Sequence, residues 1–183
     1  MTIFYTGQGD KGKSAMGARK IAKDDPLMDA LGALDELNSW LGYCRASVKR
    51  KAISYKLKAI QEDLFVAQAE IAMIAMQKKS KIQITNVKTK ALEKEILKID
   101  KQVPQIKKFI IPGGSELSAK LDFARTLVRR AERAVVKANA ANEAISSPEL
   151  LQYLNRLSSY LFALARLVNF RLNIKEESPS YRP

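Results

Sequence analysis

The chain has 183 residues, the length of one domain, with 46% hydrophobic and 28% charged residues, and such a chain can bury roughly 70% of its unfolded surface. Its single cysteine excludes an internal disulfide framework and a Cys-built metal site, and suits a reducing compartment, so the cytoplasm is the expected location. With no histidine, Ser-His-Asp and Cys-His catalysis and any imidazole ligand to zinc, haem or cobalt are removed as well, leaving carboxylates, arginine, lysine, hydroxyls and backbone to do the chemistry. A net charge of +13 points to an anionic partner: nucleic acid, an acidic surface or a polyphosphate. No apolar run approaches the ~18 residues of a membrane span, and the first five residues lack the basic start and apolar stretch of a signal peptide, so neither membrane insertion nor export is expected.

Residues 1–25 are polar and rich in glycine, with Gly7, Gly9, Gly12 and Gly17 and no helical period, and read as a loop segment. Asp25-Pro26 supplies an N-cap and a first helical residue for a helix carrying Leu27, Leu31, Leu34, Leu37 and Leu41 toward Ala46. A second helix is predicted from about Tyr55 to Met76, with Leu57, Ile60, Leu64, Ala67, Ile71 and Ile74 on one face, and a shorter charged one from Val87 to Lys101, ended by Val103-Pro104. An apolar extended piece from Phe109, the turn Pro112-Gly-Gly and the N-cap Ser115 lead into a fourth helix to about Ala141. Ser147-Pro148 opens a fifth, with Leu150, Leu154, Leu157, Leu161, Leu164 and Val168 in alternating steps of four and three. The fold class is therefore all-α: an antiparallel five-helix bundle over 26–173 in one domain with the 1–25 segment, and a charged tail, 174–183, expected to be mobile.

Three groups of residues carry candidate chemistry. Gly7 to Ser14 spells the Walker A string G-x-x-x-x-G-K-[ST], but only five residues precede Thr6, and no parallel strands or Walker B aspartate follow. What remains is a glycine-rich segment whose backbone donors can approach an anion beside Lys11, Lys13 and the hydroxyls of Thr6 and Ser14. On the fourth helix Arg125, Arg129, Glu132 and Arg133 share an arc beside the apolar seam while Arg130 points elsewhere, with Glu132 placed to orient Arg129. A charged stripe is by base rate a solvated face; four arginines within nine residues also suit multidentate phosphate recognition. Asp35, inside an apolar stretch of the first helix, calls for a cation, whereas Glu36 reads as a surface acid. By default Phe109 is a packing residue, and Asn155 and Arg156 sit on the polar side of the fifth helix.

Taken together, these pieces resemble the PduO-type ATP:cob(I)alamin adenosyltransferases. The resemblance rests on Tyr5 to Gly12, Lys23 to Pro26, Ala33 to Ser39, Gln61 to Phe65, Phe109 to Ser115, Ala124 to Arg133 and Tyr153 to Phe162, in family order over about residues 3–170. It implies a ferritin-like, cobalamin adenosyltransferase-like bundle, assembled as a homotrimer with sites between subunits, that moves the 5′-deoxyadenosyl group of MgATP to cob(I)alamin and releases triphosphate. Carried over, Thr6, Gly7, Gly9, Asp10, Lys11, Gly12, Lys13, Ser14 and Lys23 hold the triphosphate, and Arg125, Arg129, Glu132 and Asn155 complete the nucleotide site. Asp35 pairs with Arg125 across the interface, and Phe109 faces the corrinoid. Mg2+ travels on the ATP phosphates, with no protein ligands assigned, and a cob(II)alamin reductase is an expected partner.

Two positions depart from the family pattern: Ser14 stands where Thr is usual, keeping the hydroxyl, and Ser159 stands where an Asp is usual, removing a carboxylate. The competing readings are a basic helical nucleic-acid-binding protein, against which the 7% aromatic content does not interleave with the basic residues, and a P-loop ATPase, which would release phosphate rather than triphosphate.

Overall fold

The computed structural model describes residues 4–48, 50–141 and 146–181. Its elements are β1 (Lys13–Met16), β2 (Arg19–Ala22), α1 (Pro26–Ala46), α2 (Lys51–Ala75), α3 (Asn86–Asp100), α4 (Glu116–Ala141) and α5 (Pro148–Arg171), so the all-α bundle expected from periodicity is the fold. Its helix starts follow the sequence. Asp25 Oδ1 accepts from Leu27 N at 2.8 Å, Ser115 Oγ from Ser118 N at 3.1 Å, and Ser147 Oγ from Leu150 N at 3.3 Å, each satisfying an otherwise orphaned first-turn donor. α2 begins earlier than predicted because Ile53, buried, extends the seam of Leu57, Ile60 and Leu64 by one turn.

α1 packs on α2 and α4, α4 on α5, and α5 on α3. The ion pairs Lys56–Glu95 and Lys88–Asp63 tie α2 to α3 and close the ring. α1 and α4 run antiparallel. Trp40, late in α1, donates from Nε1 to Lys120 O at 2.9 Å and meets the Phe123 ring early in α4, whereas Asp29, in the first turn of α1, pairs with Lys137 near the end of α4. Leu34, Leu37, Leu41, Leu57, Leu64, Leu121, Leu154 and Leu157 are fully buried between them. Such side chains contribute roughly 1.5–3 kcal/mol each on leaving water, and the heptad-like seams set this packing.

Two expectations are corrected. The 1–25 segment is not all loop: β1 and β2 form an antiparallel hairpin with Lys13 opposite Ala22 and Met16 opposite Arg19. The hairpin is docked by buried Ile21 and by Arg19, whose Nη1 donates to Ala75 O at 2.7 Å, taking up one of the carbonyls left open at the end of α2. Gly7 to Ser14 thus runs into a strand of a two-stranded hairpin rather than a helix N-terminus, and the Walker A string is not a P-loop. The tail expected to be mobile makes specific contacts as far as Glu177: Arg166 grips Glu176, and Ile111 N donates to Glu177 O at 2.8 Å.

Candidate active site

A cleft of about 710 Å³ opens between α4, α5 and the segment leading to α4. It is lined by Lys107, Lys108 and Phe109 from that segment, Arg125 and Arg129 from α4, and Ser158, Ser159 and Phe162 from α5. Phe109 is 80% exposed, so the packing role that is its default is not the one it has. It stands on an arch fixed at its far end. Gly113 N donates to Asp122 Oδ2 at 3.1 Å, and Asn169 donates to Gly113 O at 2.8 Å while accepting from Ser115 N at 3.0 Å. Between these bonds Gly114 adopts φ +99°, and a Cβ there would lie 2.6 Å from Asn169 Nδ2, so the turn requires glycine.

Arg125 is half-buried. Its Nε lies 3.9 Å from Asp122 Oδ1, too long for a hydrogen bond, and makes no other hydrogen bond among the described residues, while its guanidinium sits 5.9 Å from the centre of the Phe162 ring. Burial pushes the Asp122 carboxyl up, against the pull of Gly113 N–H and Arg125. A half-buried guanidinium with a buried, unused Nε donor on the wall of a cleft is poised for an anionic or carbonyl-bearing ligand.

The expected orienting pair within the arginine stripe takes another form. Glu132 accepts from Asn155 Nδ2 at 3.2 Å, joining α4 to α5, and Asn155 accepts in turn from Arg156, whose Nε reaches Glu93 at 2.9 Å. Arg129, exposed, is left at the cleft by this arrangement. Arg130, on the other side of the helix, pairs with Glu36 of α1, so Glu36 is a partnered acid, as Asp35 was expected to be.

The remaining predicted residues lie elsewhere in the protomer. Gly9 and Lys23 come together in the N-terminal segment, where a Cβ on Gly9 would lie 3.3 Å from Lys23 Nζ, and Lys23 N donates to Gly12 O at 2.9 Å. Thr6, Gly7, Asp10, Lys11 and Gly12 are exposed in the same turn-rich stretch, which continues into Lys13 and Ser14 of β1. The hairpin that follows meets the end of α2 through Gly17 and Arg19 and leads directly into α1. Arg129 lies two turns of α4 before Lys137, the residue paired with the start of α1, and turns of that kind rise about 5.4 Å each. Asp35 is exposed on a separate open groove of about 540 Å³ between α1 and α2, with Met16, Met28, Leu31 and Phe65. Asp35 and Arg125 therefore open on different grooves and do not pair within a protomer.

The sequence reading passed over Lys107, Lys108, Ser158 and Phe162. The dibasic step before Phe109 was a usable signal; Ser158 and Phe162 were not separable from the α5 seam, because which of its residues reach the cleft depends on the register of α5 against α4.

Fold and cleft define a helical-bundle protein suited to an anionic ligand beside a large apolar one. Residues 4–168 match the model of the family described as cobalamin adenosyltransferase. The chain is 37% identical over 175 residues to a corrinoid adenosyltransferase of Bacillus subtilis (strain 168), covering 93% of this chain and 89% of the relative. It is 39% identical over 165 residues to the corrinoid adenosyltransferase PduO of Citrobacter freundii, covering 89% of this chain, which spans about half the length of that relative, 49%. Among solved structures, a variant PduO-type ATP:corrinoid adenosyltransferase from Lactobacillus reuteri complexed with cobalamin and ATP superposes with a TM-score of 0.88 at 34% identity, covering 97% of each chain. The chain belongs to the cobalamin adenosyltransferase family and is an enzyme of that type.

Proposed function

We propose that the cleft and the N-terminal segment together catalyse transfer of the 5′-deoxyadenosyl group of ATP to cob(I)alamin, giving adenosylcobalamin and triphosphate. The observation that carries this assignment is the exposed Phe109 lining one cleft with Arg125 and Arg129. Cobalt(I) brings its own electron pair to C5′ of the ribose; the Co–C bond forms as the C5′–O bond breaks, and the departing triphosphate takes the bonding electrons. The protein supplies no nucleophile and needs none, which accounts for a site without histidine. Its work is alignment and charge neutralisation.

In this reading Lys11, Lys13, Lys23, the hydroxyls of Thr6 and Ser14 and the turns through Gly7, Gly9, Asp10 and Gly12 hold the triphosphate, and Arg125, Arg129, Glu132 and Asn155 hold the rest of the nucleotide. Arg125 and Phe109 meet the corrinoid. Phe109 fills the lower face of cobalt, keeping water and the nucleotide base away, and the empty axial position favours reduction to cobalt(I). Mg2+ is assigned to the ATP phosphates, with no protein ligand named for it. Because Asp35 and the arginine cleft open on different grooves of one protomer, the complete site is assigned to the junction of neighbouring copies, with Asp35 of one meeting Arg125 of the next.

The test is an anaerobic assay with chemically reduced cobalamin and MgATP. Formation of the light-sensitive cobalt–carbon bond, with intact triphosphate as the inorganic product, is the expected result. Orthophosphate release without the corrinoid spectral change would overturn it.

A further inference from the structure

The arch that carries Phe109 is held by Glu176 and Glu177, which lie beyond the 4–168 stretch matched by the family. Arg166 of α5 is 8% exposed, and Nε and Nη2 together grip the Glu176 carboxylate at 2.8–3.1 Å. The same Nη2 donates to Pro104 O at 2.8 Å, at the root of the arch. At the other end Ile111 N donates to Glu177 O at 2.8 Å. One buried guanidinium and one backbone bond thus tie both ends of the 104–111 span to the 174–177 segment, while Phe109 between them stays exposed. Bidentate arginine–carboxylate geometry is directional as well as strong, and a buried arginine stripped of its carboxylate is a costly residue that must move or draw in water.

We infer that residues 174–177 are a strap that sets the position of Phe109 over the corrinoid, with Glu176 and Arg166 as positioning residues for the corrinoid half of the reaction. This rests on the assignment of Phe109 to the lower face of cobalt. The strap contacts none of the residues assigned to the triphosphate, so its loss separates the two substrates: corrinoid activation suffers and ATP binding does not. Glu176→Gln keeps the shape but loses the charge that Arg166 needs, Glu176→Asp keeps the charge, and a chain ending at Ile174 removes both Glu176 and the Glu177 carbonyl.

The experiment uses the full-length protein, these three variants and Phe109→Ala, with cob(II)alamin and MgATP. It reads adenosylation with cobalt(II) reduced in situ, ATP affinity by calorimetry, melting temperature, and the electron paramagnetic resonance signature of bound cobalt(II) lacking an axial ligand. Displacement by about an ångström can cost roughly 10²-fold in rate. Glu176→Gln and the shortened chain should lose 10- to 100-fold in rate and most of the signature at unchanged ATP affinity, and Glu176→Asp should recover both. If Phe109→Ala abolishes the signature while Glu176→Gln and the shortened chain keep it, the strap is refuted and the Phe109 assignment stands. If Phe109→Ala also keeps it, the underlying assignment has failed. Parallel loss of ATP affinity and melting temperature in the strap variants, without rescue by Glu176→Asp, would reduce the contact to ordinary fold stability and overturn the inference.

Discussion

Arg129 has its guanidinium on the wall of a cleft, and no acid of the described chain is paired with it, whereas the neighbouring Arg130 is engaged by Glu36 and Arg156 by Glu93. Glu132 meanwhile is held by Asn155 from the next helix. Removing one charge-stabilising donor from a preorganised site costs about 10²–10³ in rate. Arg129→Ala and Glu132→Ala should each lose turnover on that scale with helical circular dichroism retained; near-normal turnover and ATP affinity in Arg129→Ala would return the stripe to solvent. Cys44 illustrates the opposite environment. It is fully buried, and burial pushes its thiol from 9.0 to about 11, only partly offset by Lys120 and a backbone hydrogen bond. The folded thiol therefore keeps its proton where the unfolded one has lost it, so the folded state binds more protons between pH 9 and 11 and its stability falls as pH rises through that window. Native protein at pH 8 should resist a thiol reagent that labels one site per chain in denaturant, and Cys44→Ala should show a smaller decline in urea midpoint from pH 9 to 11. Rapid native labelling would place the thiol at the surface.

Single capping side chains mark where elements begin, and their energetic share can be tested at Ser147. Its hydroxyl takes the Leu150 N–H at the start of α5, and its own N–H donates to Glu70 Oε1 at 2.6 Å, while Glu70, 1% exposed, also accepts from Ile84 N at 3.2 Å. Ser147→Ala removes only the hydroxyl bond, so a loss of about 1 kcal/mol is expected from denaturant midpoints; a loss within error would mean that packing of α5 alone sets its start. The same elements show what was legible. The starts of α1, α4 and α5 could be read because Asp25-Pro26, Ser115 and Ser147-Pro148 stand directly before long apolar seams, whereas α2 and α3, which lack a side-chain cap, were legible from their apolar spacing alone. The hairpin could not, because Lys-Ser-Ala-Met and Arg-Lys-Ile-Ala lack the β-branched alternation of a strand and are held by Ile21 and by Arg19 reaching residue 75. Charge and a terminal proline suggested a loose tail, but one acid, Glu176, meets a buried arginine ten residues earlier. At the site, the arginines stood out by residue type and spacing, whereas Phe109 read as packing until the family resemblance pointed to it; that Glu132 answers Asn155 rather than Arg129 follows from the α4–α5 register, a long-range property.

As a whole molecule, one protomer holds the parts of the proposed site without assembling them. The arginine cleft lies between α4, α5 and the Phe109 arch, while Asp35 lies on the α1–α2 groove with Met16, Met28, Leu31 and Phe65. Phe65 is 61% exposed in that groove, a large apolar ring whose covering stabilises an assembly. A second copy seated there would bury the Phe65 side chain and bring a cation to Asp35, and a repeating contact of one face against a different face forms a closed ring where the rotation between copies closes. The expected particle is the trimer implied by the family resemblance, three times 20.5 kDa by light scattering. Phe65→Glu should yield protomers that keep their helical circular dichroism and lose adenosylation, since each would lack the neighbour's half of the site. Asp35→Asn and Arg125→Ala should impair corrinoid handling more than ATP binding, and their double-mutant cycle should show coupling of about 0.5–3 kcal/mol, the range for side chains in contact. Additive effects in that cycle would separate the two residues, and a fully active monomer would place the whole site within one chain, against the division between grooves seen here.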